Sequence, residues 1–281
     1  MSAVTSTIPD GLINAVKERR CVLFVGSGLS AAAGYPSWSE LIDQLVQAAK
    51  SLPQARADGL DKFVAAKDFL TLAEFARSTL GVSRYSTILR TLLAKPLRVP
   101  RARKIIARTD YRGVITTNYD KLLETAFTVQ RKWAPAIMTP ESVSSLGSAL
   151  YGDSVFILKL HGDVDSPESI VLTEFDYDRM ILRNPHVRSF LQAVFLNYTL
   201  LFVGYSLQDA DLRLVLKELV LIFQGYTPVH YALLPNAGDF EMTHLMNRMN
   251  IQGIPYMPTA SHGAVIEVLE QLQQTAPFGT A

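Results

Sequence analysis

Apolar positions along this chain repeat with two different periods, and the change from one to the other marks its organisation. Continuous apolar runs of strand length occur at residues 22–25, 113–117, 155–160, 199–204, 229–234 and 251–257, with a shorter one at 170–172. Between them the apolar residues fall at helical spacing. Leu12, Ile13, Val16 and Lys17 place a helix over residues 8–20, before the first strand. Ser37-Trp38-Ser39-Glu40 has the form of a capping box, and Leu41, Leu45 and Ala48 continue the stripe it opens. From about residue 40 to 110 the strand signal almost disappears. Phe69, Leu72, Ala73 and Ala76, then Ile88, Leu92 and Leu93, predict several short helices, a helical insertion between the first two core strands.

After Gly113 strands alternate with helices. That order predicts an α/β fold, a Rossmann-like, mostly parallel sheet with helices on both faces, in one domain spanning residues 1–281. Residues 211–223 form a helix that is apolar almost all round, with Arg213, Lys217 and Glu218 as a narrow polar face. Such a helix is buried on most sides, by the core or by a partner. Residues 275–281 read as a loose tail or linker.

Four of the apolar runs stop at small or polar corners. The first passes into Gly26-Ser27-Gly28-Leu29-Ser30-Ala31, which fits the dinucleotide fingerprint with alanine in third place. Its free backbone N–H groups and helix N-terminus are expected to favour a pyrophosphate. The other three pass into Asn118-Tyr119-Asp120, His161-Gly162-Asp163 and Gly204-Tyr205-Ser206. Ligands of open parallel sheets collect beyond the carboxyl ends of the strands, so these corners are expected to converge on one pocket.

Each corner has a structural and a functional reading. Asn118 caps the following helix and Asp120 complements its dipole, or the pair aims an amide and a carboxylate into the crevice. His161 is a satisfied strand-end histidine, or a general base beside which Gly162 leaves room for a substrate. Gly204 and Ser206 form an ordinary strand-to-helix turn, or bind a ribose or phosphate; Asp209 and Asp211 in the same turn read as solvated carboxylates.

Composition narrows the chemistry. A formal charge of +1 over 281 residues speaks against a generalised nucleic-acid or acidic-membrane surface. The single cysteine, Cys21, reads as a core thiol and excludes an internal disulfide or a multi-cysteine zinc site. His186, His230, His244 and His262 lack metal-ligand spacing, so no metal is expected. No stretch has the length and apolarity of a membrane span, and a cytoplasmic protein is expected.

Taken in order, GSGLSAAAGYPSW, TTNYD, LHGD and FVGYS resemble the sirtuin family, specifically the Sir2-like NAD-hydrolase domains of bacterial antiphage defence systems. The resemblance covers residues 20–270 apart from the insertion, which takes part of the place of the sirtuin zinc module. It implies that Gly26, Ser27, Gly28 and Ser30 belong to an NAD-binding corner and that Gly204 and Ser206 form a second one. It also implies that Asn118 and Asp120 lie near the nicotinamide and its ribose and that His161 is the catalytic histidine. NAD+ is then a substrate. Pro36-Ser37-Trp38-Ser39 stands where classical sirtuins carry Pro-Asp-Phe-Arg, and the two Cys-x-x-Cys zinc pairs are missing, both of which speak against protein deacylation.

The expected activity is therefore NAD+ hydrolysis to nicotinamide and ADP-ribose, with NAD+ depletion as an abortive-infection response. Short Argonaute-type or HerA-type ATPase proteins, or self-assembly into a homo-oligomer, are the partners the resemblance implies. A non-catalytic module sensing NAD or ADP-ribose is the alternative. A dehydrogenase is disfavoured, because Glu40 and Asp43 fall in a helical pattern where its acidic strand end is needed.

Overall fold

A computed structural model describes residues 7–94, 98–181, 184–207, 210–259 and 262–279. Its strands are β1 (Cys21–Val25), β2 (Gly113–Thr116), β3 (Ala136–Met138), β4 (Phe156–Lys159), β5 (Thr199–Val203), β6 (His230–Pro235) and β7 (Ile251–Tyr256). They form one seven-stranded sheet in the order β3-β4-β2-β1-β5-β6-β7, every pair parallel. The helices are α1 (Asp10–Lys17), α2 (Gly28–Ala31), α3 (Trp38–Lys50), α4 (Asp61–Ala66), α5 (Phe69–Leu93), α6 (Arg101–Arg108) and α7 (Leu122–Arg131). After them come α8 (Val143–Tyr151), α9 (Glu174–Ile181), α10 (Pro185–Asn197), α11 (Ala210–Ile222), α12 (Asp239–Met249) and α13 (Gly263–Thr275).

The apolar runs are continuous because both faces of the sheet are covered. Cys21, Leu23 and Val25 of β1 pack with residues of α1, α6, α7 and α13 on one face. Val22 and Phe24 face a second core, shared with residues of α10, α11 and α12. A third core joins α3 and α5 to Tyr119, Leu122, Val164, Ile170 and Leu172, so these helices rest on the corners that follow β2 and β4. The capping box at Ser37 and Glu40 forms as expected and starts α3. Helix α6 leaves this group and joins the layer beside α7 and α13.

Chain order places the crevice. From β1 the sheet grows through β2 and β4 to β3 on one side, and through β5, β6 and β7 on the other. Beyond β1 and its neighbours, connections therefore diverge to opposite sides, which opens a crevice at the carboxyl ends of these strands.

Three expectations are corrected. Residues 170–172 are buried but form no strand; they strap the β4 corner, with the Val171 N–H donating to the His161 carbonyl at 2.9 Å. Strand β3 was not foreseen, because its three residues form a short sheet edge with Ala136 and Ile137 exposed. The tail is docked as far as Gly279 is described. The Asp110 N–H binds the Ala276 carbonyl at 3.0 Å, and the Arg131 guanidinium lies 3.7 Å from the Phe278 ring centroid. Asp209 lies outside the described residues, as does the side chain of Asp211.

Candidate active site

The β1 and β5 corners are built against each other. The N–H groups of Gly26 and Gly28 donate to the carbonyls of Val203 and Gly204, each at 3.0 Å. A Cβ on Gly26 would lie 2.3 Å from the Gly204 carbonyl oxygen, so only glycine allows this approach. The N–H groups of Leu29 and Ser30 are also taken, by the Gly26 and Ser27 carbonyls, so four of the expected donors are used within the corners. The glycines serve close packing of two corners. What they leave outward is a shaped surface with Ser27, Gly28 and Ser206 exposed. Tyr205 turns the other way, its ring 4.7 Å from that of Phe24.

Sheet register sets Asn118 and His161 at matching positions. Thr116 of β2 pairs with Lys159 of β4, and Asn118 and His161 each lie two residues beyond that pair. Both side chains are buried, at 5% and 6% exposure. Asn118 does not cap α7. Its Nδ2 donates to the Gly26 carbonyl at 3.0 Å, which ties the β2 corner to the β1 corner and leaves the amide oxygen as the end that can serve a ligand.

Both oxygens of Asp120 are engaged within the protein. Oδ1 accepts the Leu122 N–H at 2.9 Å at the start of α7. Oδ2 accepts the Ser30 hydroxyl at 2.5 Å, and Ser30 in turn accepts Arg103 Nη2 at 2.7 Å. Ser30 is 5% exposed, and its hydroxyl is spent between Asp120 and Arg103.

The β4 corner is held by charge. Lys159 is wholly buried, and its ammonium donates to the carbonyls of Tyr119 and Asp120 at 3.0 and 2.8 Å and to Glu124 Oε1 at 3.0 Å. It also lies 2.9 Å from Asp163 Oδ2, which Lys121 approaches to 2.8 Å. Burial pulls the Asp163 carboxyl upward, but the Lys159 ammonium and the hydrogen bond from Lys121 outweigh it and hold the group below its ordinary value. The space at Gly162 is not room for a substrate: its φ is +88° and a Cβ would lie 2.1 Å from the Ser169 carbonyl oxygen. His161 packs edge-on against Tyr177 of α9, ring centroids 5.1 Å apart.

Cys21 is buried and its thiol is pushed up by burial, which makes it inert in the core as expected. Among the described residues no three His, Cys, Asp or Glu side chains are grouped as metal ligands are, and no helix is long and apolar enough to cross a membrane.

Comparison with known proteins shows the family. The family model described as a SIR2-like domain matches residues 112–254, about half of the chain and from β2 into β7. That span contains Asn118, Asp120, His161, Gly204 and Ser206 and leaves out the Gly26 corner and α3 to α5. A Bacillus cereus (strain MSX-D12) protein named NAD(+) hydrolase ThsA is 28% identical over 222 residues, covering 78% of this chain and 44% of its own. Defense-associated sirtuin 2 of Bacillus subtilis is 29% identical over 206 residues, covering 72% of this chain and 19% of its own. The chain thus spans less than half the length of these relatives. A solved structure described as a Sir2 homologue–NAD complex covers 96% of this chain and 95% of its own at 14% identity and a TM-score of 0.44.

Proposed function

The chain belongs to the SIR2-like domain family, and from that membership we propose that it is an NAD+ hydrolase. It cleaves the nicotinamide–ribose bond, releases nicotinamide and ADP-ribose, and so depletes NAD+ as the effector of an antiphage response. The observation that supports this reading is the β2–β4 register, which sets Asn118 and His161 at matching positions past adjacent strands, with the Gly26 carbonyl bound to Asn118. The names of the relatives support it.

Departure of nicotinamide leaves oxocarbenium-like charge on the ribose. Fixed oxygen dipoles aimed at that charge stabilise the transition state more than the ground state. Asn118, its nitrogen already committed to Gly26, presents its oxygen to the ribose or to the attacking water. Asp120 assists binding of the nicotinamide end, and His161 accepts a proton from water or a ribose hydroxyl. Gly26, Ser27, Gly28, Gly204 and Ser206 form the two dinucleotide-facing corners.

The protein works in the cytoplasm and is switched on by a partner, of the short Argonaute or HerA ATPase type, or by self-assembly. Helix α11, which follows the Ser206 corner, supports this. It buries Leu212, Val215, Leu216 and Leu219 and exposes Leu214, Leu221 and Ile222. The hydrolase reading is tested by incubating the chain with NAD+, alone and with its genomic-neighbour proteins, and separating products by chromatography. Equal release of nicotinamide and ADP-ribose, with no NAD-dependent deacetylation of an acetyl-lysine peptide, is expected. NAD+ that stays intact under every condition, or robust O-acetyl-ADP-ribose formation, contradicts it.

A further inference from the structure

Arg103, on α6, is wholly buried, and it is a charge where a packing residue would suffice. Its Nη2 donates to Ser30 Oγ at 2.7 Å, and Ser30 Oγ lies 2.5 Å from Asp120 Oδ2. The direction of this relay is fixed. A guanidinium only donates, and the one hydroxyl hydrogen of Ser30 goes to the carboxylate. Nη2 is also 4.0 Å from Asp120 Oδ2, so the same side chain supplies the counter-charge that a 5% exposed carboxylate requires.

Two features separate Arg103 from an ordinary structural arginine. Among the described residues its Nε and Nη1 have no hydrogen-bond partner, a costly arrangement for a side chain kept only for packing. The two oxygens of Asp120 are held from different directions, Oδ2 by Ser30 and Oδ1 by the Leu122 N–H, which leaves the carboxylate one orientation.

We infer that Arg103 is a positioning residue: acting through Ser30, it fixes the Asp120 carboxylate in the orientation that receives the nicotinamide end of the substrate. The inference rests on the hydrolase reading for the role of Asp120. The helical segment between β1 and β2 thereby sets a group at the end of β2, 17 residues further along the chain than Arg103 itself.

The test uses the full chain under whichever condition gives NAD+ cleavage, in four variants: Arg103→Met, Arg103→Lys, Asp120→Asn and the Arg103→Met/Asp120→Asn pair. Arg103→Met is expected to raise KM for NAD+ about tenfold or more, with a smaller change in kcat, and Arg103→Lys to recover part of the loss. Added to Asp120→Asn, Arg103→Met costs nothing further, because the group it positions is already altered. An unchanged KM in Arg103→Met, or losses that multiply in the pair, overturns the inference. A crystal structure of Arg103→Met gives a readout free of turnover: Asp120 is expected to leave Ser30 and the Leu122 N–H, and an unmoved carboxylate overturns the proposal. Should Arg103→Met fail to fold, the pair, with neither buried charge, carries the structural readout through Ser30, whose hydroxyl is expected to turn away from residue 120; a hydroxyl still bound there overturns the proposal. A wild-type chain silent toward NAD+ defeats the hydrolase reading, while the position of Asp120 still decides the link to Arg103.

Discussion

Gly26 fits tightly against the Gly204–Tyr205 peptide, where an added Cβ would meet the Gly204 oxygen at 2.3 Å and the Tyr205 Cα at 2.6 Å. Backbone atoms cannot rotate aside. Gly26→Ala is therefore expected to destabilise the fold by about 1–3 kcal/mol, the range for overpacking, measured by urea denaturation. A variant as stable as wild type would show that the corners are not locked. His230 gives the fold a pH dependence. It is buried at the start of β6, its Nδ1 accepts the Leu200 N–H at 3.2 Å, and burial pushes it down from 6.5 to about 3. Between those values the unfolded chain holds a proton that the folded chain does not. Stability therefore falls as pH drops below 6.5, by up to about 1.4 kcal/mol per pH unit, until the folded histidine titrates near 3. Denaturation midpoints between pH 4 and pH 7 are expected to show this slope in wild type and a shallower one in His230→Gln.

Strand-to-corner junctions hold the site together, and Lys159 is the clamp between two of them. It joins the Tyr119 and Asp120 carbonyls of one corner to Asp163 of the other. Lys159→Met leaves those oxygens without their buried cation, and a loss of about 3–5 kcal/mol is expected in chemical denaturation. A loss below about 1 kcal/mol would mean that Lys121 alone holds Asp163. The corners themselves were legible because a sheet covered on both faces writes its strands as unbroken apolar runs, and the chemistry begins where each run stops. Other elements left a false or faint signal. Residues 170–172 are as apolar as a strand but are buried as a strap under His161, and β3 is too short and too exposed to register. Arg103 sits in the stretch Arg101-Ala102-Arg103-Lys104, which reads as a solvated charged face, and its partner Ser30 is 73 residues away. Lys159 did leave a clue. A lysine inside the apolar run 155–160 has to find anions, and Asp163 four residues on is one of them.

Taken whole, the molecule gathers its candidate residues at the carboxyl ends of the strands and carries exposed apolar residues on the helix that follows the β5 corner. On the proposed reading, a chain that destroys a shared cofactor needs restraint, which a partner that binds the competent arrangement more tightly would supply. Turnover per chain is accordingly expected to rise with protein concentration or with the partner and its nucleic-acid ligand. Full activity in a dilute, confirmed monomer would contradict that control. The central claim is that Asn118 and His161, brought to matching positions by the β2–β4 register, cleave NAD+. The most direct measurement is the initial rate of nicotinamide release by wild type, Asn118→Ala and His161→Ala, each confirmed as folded by thermal unfolding. The account predicts a fall of at least about a hundredfold in each variant. Near wild-type turnover in either folded variant would contradict it.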